Sequence, residues 1–98
     1  MRIAIPHNTD KSIARRKIDA RLHELLGTYG GYLSEVDHRW EGDRLVLSGK
    51  AKGMKVSGTV DITDTEVIID GKVPLIAKPL EPRIKSTIER EAAALFEA

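Results

Sequence analysis

Three imidazoles, His7, His23 and His38, are the only side chains in this sequence whose ordinary pKa places proton transfer near neutrality. A zinc centre gathers several ligands, often at short spacing, and no two of these histidines have such spacing. They are expected at surface or capping positions. Ser48 and Ser57 fall on alternating polar positions with no base beside them, so no nucleophile–base pair is formed. The sequence contains no cysteine, which excludes a thiolate nucleophile, a disulfide and a cysteine metal site. Asp61, Asp64 and Glu66 gather near one turn and offer oxygen ligands for a hard cation. Their spacing is not that of an EF-hand loop, so they are read as solvated turn carboxylates. Gly30-Gly31 follows a helix instead of preceding one, the wrong place for a phosphate cradle. No catalytic, cofactor-binding or metal-ligating residue is assigned, and the chain is expected not to be an enzyme.

Charge is the next source of chemistry. Sixteen Lys and Arg against fifteen Asp and Glu leave a net charge of +1, so no global field favours nucleic acid or an anionic membrane. Locally, Lys11, Arg15, Arg16, Lys17 and Arg21 crowd one segment, and Lys50, Lys52 and Lys55 another. In the alternative of a basic-patch nucleic-acid-binding domain, Arg15, Arg16, Arg21, Lys50, Lys52 and Lys55 contact phosphates. Such a surface ordinarily interleaves aromatics for bases. The four present, Tyr29, Tyr32, Trp40 and Phe96, sit mostly at core-facing positions. The basic run therefore reads as a solvated helix face, and nucleic acid is not expected as a partner.

These residues are carried by a regular pattern of elements. Ile3 and Ile5 make a short first strand that Pro6 stops or confines to an edge. Asn8, Thr9 and Asp10 are candidate N-caps for a helix from Lys11, whose stripe is Ala14, Ile18, Leu22, Leu25, Leu26 and Tyr29. Gly27 or Gly30-Gly31 is expected to end it in a left-handed cap. Tyr32–Trp40 reads as an edge strand. Three strands then follow to Val73 with a side-chain period of two, broken at Lys52-Gly53 and Thr63-Asp64. That parity puts Leu45, Leu47, Val56, Gly58, Val60, Val67 and Ile69 on one face. Gly49 and Gly58 on that face would let a helix approach or the sheet bend. Pro79 and Pro82 bracket the start of a second helix, with stripe Leu80, Ile84, Ile88, Ala92, Leu95 and Phe96. The prediction is one α+β domain spanning residues 1–98, ordered β-α-β-β-β-β-α, with a curved antiparallel sheet and both helices packed on one face. The pattern resembles TATA-box-binding-protein-like folds. Its core is expected to be filled by aliphatic side chains.

Over nearly its whole length the chain also resembles a small bacterial family, the polyhydroxyalkanoic acid system proteins found in regions concerned with polyester granules. The similarity is carried by His7, Ala14-Arg15, Trp40-Glu41-Gly42-Asp43, Gly58-Thr59-Val60, Pro74-Leu75, Pro79-Leu80, Ile84 and Ile88. It implies a role near granule synthesis or its regulation, and the chain is read as a non-enzymatic accessory or regulatory protein acting through protein or granule-surface contacts. No catalytic motif comes with it.

Partners follow from the surface. One hairpin tip carries lysines and another Asp61, Asp64 and Glu66, while Val46 and Ile68 interrupt the polar sheet face. A homodimer through that face or an edge strand would bury Val46 and Ile68 and oppose the charged tips. A granule-surface contact through the amphipathic second helix, and a cavity for a small apolar acyl ligand, are alternatives that a filled core disfavours. The longest stretch without Asp, Glu, Lys or Arg is too short to span a bilayer, so no transmembrane segment is expected and the location is read as cytoplasmic.

Overall fold

The computed structural model describes residues 1–97; the side chain of Tyr29, part of the expected stripe, lies outside that description. The elements are β1 (Arg2–Pro6), α1 (Lys11–Tyr29), β2 (Leu33–Glu41), β3 (Arg44–Ala51), β4 (Met54–Ile62), β5 (Glu66–Lys72) and α2 (Glu81–Leu95). The five strands form one antiparallel sheet in the order β1-β5-β4-β3-β2. It is a meander whose last strand pairs back with the first.

The register follows the sequence parity. Leu45 faces Val60 and Leu47 faces Gly58 across β3 and β4; Val60 faces Ile69 and Ile62 faces Val67 across β4 and β5. The turn that sets this register has Lys52 at φ 52° and Gly53 at φ 79°, the left-handed pair that matches the twist of a two-residue hairpin. β2 is the irregular strand. Its register with β3 shifts between Ser34 and Asp37, and Glu35 sits at φ 52°.

Asp10 is the N-cap of α1, its Oδ1 accepting from the Ile13 N–H at 2.9 Å. The other end differs from expectation. Gly30 is right-handed, at φ −57°, and the chain continues into a 3₁₀ turn, Gly30–Tyr32, instead of a left-handed cap. The stretch Leu75–Leu80 is also 3₁₀, and α2 begins at Glu81 with Pro82 in its first turn. Leu80, assigned to the helix stripe, lies before the helix and is exposed.

Antiparallel pairing gives the molecule two unlike ends. The β2–β3 and β4–β5 turns, the start of α1 and the end of α2 meet at one end, called here the closed end. Ile3, Ala14, Leu45, Val60, Ile62, Val67, Ala92 and Phe96 form the core and lie toward it. The β3–β4 turn, the end of α1 and the start of α2 lie at the opposite, open end. There the inner face is not filled, which corrects the expected aliphatic packing. Its floor includes Gly58 and Gly71, register partners with no side chain, and Gly49 one step further on. Among the described residues no helix atom closes on these glycines; the nearest side chain over Gly71 is that of Met1. A Cβ on Gly49 would touch Val36, and one on Gly58 would come 3.0 Å from the Asp70 carbonyl oxygen of the neighbouring strand.

Candidate functional site

The gap at the open end is a cleft of about 400 Å³ between the sheet and the helices. Leu22, Leu25 and Leu26 of α1 form its roof with Ile88 of α2, above Leu47 and Val56. α1 presents these leucines because they share its inward stripe, while the row beneath them has lost its side chains at Gly58 and Gly71. Arg21 ties the helices one turn away, donating to Glu91 at 2.8 Å and Glu24 at 2.9 Å; these carboxylates hold its guanidinium above its ordinary pKa, with Glu91 the larger cause. Among the described residues no buried side-chain nitrogen or oxygen lacks a partner. The cleft thus offers apolar contact and no polar recognition inside.

Beside its mouth runs an exposed apolar stretch. Leu75, Ile76 and Leu80 are 85%, 76% and 55% exposed, and Val73 just before them lines the cleft. Glu81, which follows, accepts from the Met1 amino group at 3.1 Å. That contact, with Lys78 behind it, holds the Glu81 carboxyl below the usual range.

The closed end is tied by polar contacts instead. His7, expected at the surface or in a cap, is 1% exposed. Its Nδ1 accepts from the Thr9 N–H at 3.2 Å, and its Nε2 lies 2.8 Å from the Thr63 carbonyl oxygen. Both bonds are made at once only by the neutral ring protonated at Nε2. Asn8 Nδ2 donates to the Phe96 carbonyl at 3.3 Å. Lys11 bridges Asp43 at 3.3 Å and Asp64 at 3.6 Å, which raise its pKa, Asp43 most. Three chain segments and the end of α2 are so joined around a satisfied core histidine. The signal in the sequence was its place, between a strand-stopping proline and a helix cap, where an imidazole can bond to backbone on both sides.

His23 and His38, read as unrelated, have their rings 5.7 Å apart and edge to face. His23 Nδ1 lies 2.7 Å from the Asp19 carbonyl oxygen, and Trp40 Nε1 donates to Asp19 Oδ1 at 3.0 Å. Among the described residues no group of three or more His, Asp or Glu is placed to hold a metal ion.

The basic residues do not converge. Arg15 stacks on Trp40 at 4.5 Å, Arg16 is exposed on the same helix, and Arg21 is spent on Glu91 and Glu24. Lys50 and Lys55 are register partners on the outer face at the open end, where Lys50 pairs with Glu35 at 3.0 Å, and Lys52 occupies the turn. Helix and hairpin charges thus lie on different faces. The acidic tip is partly neutralised within the chain, because Arg44 clamps Asp61 at 2.6 and 3.3 Å. Glu66 faces outward opposite Pro6. Val46 and Ile68 are half-buried on the outer face as expected, but on β3 and β5, with Thr59 and Asp61 of β4 between them. They form no continuous apolar seam. Tyr32, expected to face the core, is exposed. Among the described residues no helix is long and apolar enough to cross a membrane.

Comparison with known families places the chain. Residues 1–96 match the family described as "Putative polyhydroxyalkanoic acid system protein", and the chain belongs to that family. No curated protein and no solved structure matches.

Proposed function

We propose that this member of the polyhydroxyalkanoic acid system family is a non-enzymatic accessory protein that seats its open end against the polyester granule. One observation carries the reading: Leu75, Ile76 and Leu80 are exposed within one short 3₁₀ segment that has no buried residue. Burying a leucine or isoleucine side chain fully is worth about 1.5–3 kcal/mol, so two such anchors bring useful affinity for an apolar surface. Lys72 and Lys85 flank the segment in sequence and Lys78 lies within it, and such side chains keep their charge in water while their stems lie along apolar material. The helix that follows is a poor anchor by comparison. Ala92 and Phe96 hold it in the core, so α2 stays in place and the segment before it makes the contact.

Partition onto suspended polyhydroxybutyrate particles tests this. The wild-type protein sediments with the particles, and Leu75→Asp/Ile76→Asp loses more than about tenfold in partition, the 1.4 kcal/mol equivalent of a single lost anchor. Lys52→Ala, on the hairpin, leaves partition unchanged. Equal partition of wild type and the double aspartate variant rejects the reading.

A further inference from the structure

The surface segment leaves the cleft itself unexplained. We propose that the cleft is a binding site for one aliphatic acyl chain, with the tail under α1 and the polar head at the solvent-open mouth.

Its size is the first argument. A cleft of about 400 Å³ lies among the volumes that hold small ligands. Its lining is the second. Leucine, isoleucine, valine, glycine and the Met1 side chain, which lies over Gly71, face the space, and among the described residues no buried polar side chain waits for a partner. A ligand carrying a hydroxyl, amide or charge into this space would lose its water bonds without replacement. Water against these apolar walls finds few polar partners and is released when a chain covers them. A run of methylenes loses nothing.

The floor is the third. The strand crowding at Gly58 gives a backbone reason for glycine there, because its Cβ would press on the Asp70 carbonyl at 3.0 Å. Gly49 has no such reason. It has no positive φ, and an added Cβ would meet Val36 only at 3.5 Å, ordinary contact. A side chain is sterically allowed at Gly49 and would fill the hollow; glycine there keeps the floor low. Overhead, the Arg21–Glu91 contact holds α1 and α2 together one turn from Leu25 and Ile88.

Titration calorimetry of the whole protein with butanoate, octanoate and dodecanoate, each below its micelle concentration, tests the site. Dodecanoate is expected to bind saturably, one per chain. Affinity should rise about fourfold per added methylene until the cleft is full, the 0.8 kcal/mol of a buried CH₂. The 3-hydroxy analogue should match dodecanoate within about twofold, since its hydroxyl stays at the wet mouth. Val56→Phe and Gly49→Leu, each checked by circular dichroism for a native fold, should weaken dodecanoate more than about tenfold. The second variant serves if the first does not fold. Leu75→Asp/Ile76→Asp should keep full chain binding, which separates this site from the granule contact. Absence of saturable binding overturns the proposal. So does binding unchanged in the folded filled variants, binding lost in the Leu75/Ile76 variant, or a protein dimer that dodecanoate dissociates.

Discussion

The two ends of this sheet are made of the same strands and roofed by the same helices, yet one is packed solid and the other hollow. At the closed end Leu45, Val60, Ile62 and Val67 fill the inner face against Ala14 and Phe96, and His7 joins the surrounding loops. At the open end the inner row runs through Leu47, Gly58 and Gly71, and α1 passes over it at a distance. The difference teaches that a helix stripe guarantees an apolar face and not a filled one. Whether the space closes depends on the residues opposite and on where the chain is tied.

Truncation at each end is the sharpest way to break that contrast. Leu45→Ala is expected to cost about 2–5 kcal/mol, because it opens a cavity in a closed core. Leu25→Ala, whose side chain already borders open space, should cost only about 1 kcal/mol. Chemical denaturation measures both, and equal losses would mean that the cleft is packed in solution. Next in size is His7→Ala, which removes the partners of the Thr9 N–H and the Thr63 carbonyl at a cost of about 1–3 kcal/mol. The loss should appear as faster amide exchange in the β1–α1 link and the β4–β5 turn, with β2 little changed. The smallest effect belongs to the open end's own tie. The Glu81 carboxyl is held below its ordinary value of 4.5 by the Met1 amino group. Its contribution is therefore present above that value and fades as pH falls through the lower, folded one. Thermal melts of wild type and Glu81→Gln should differ at neutral pH and converge in acid; a difference that persists in acid would assign the tie to something else.

Much of this was legible in the residues. The period of two from Leu45 to Ile69 fixed the register, since a slip of one position would turn every apolar side chain to water. Asn8, Thr9 and Asp10 announced the start of α1, with Asp10 the one that caps it, and the Lys52-Gly53 pair announced the β3–β4 hairpin. The cleft was not legible, because Leu22, Leu25 and Leu26 give the same stripe whether they touch a partner or overhang a gap. Only the height of the helix above Gly58 and Gly71 decides that, and height is a tertiary quantity. The exposed segment left a partial trace: Val73-Pro74-Leu75-Ile76-Ala77 is an unbroken apolar run longer than the end of a strand needs. The meeting of His23 with His38 left none, for it depends on how α1 lies across β2.

The irregularity in β2 has a bearing on how copies of this protein coexist at high concentration. An outermost strand with regular, unpaired amides is a template on which another molecule can add its own strand, the first step toward fibrils. Between Ser34 and Asp37 that ladder is out of step, and Glu35 turns the backbone out of line. The kink spoils the template over that part of β2, and the regular edge left to a neighbour shortens to Asp37–Glu41.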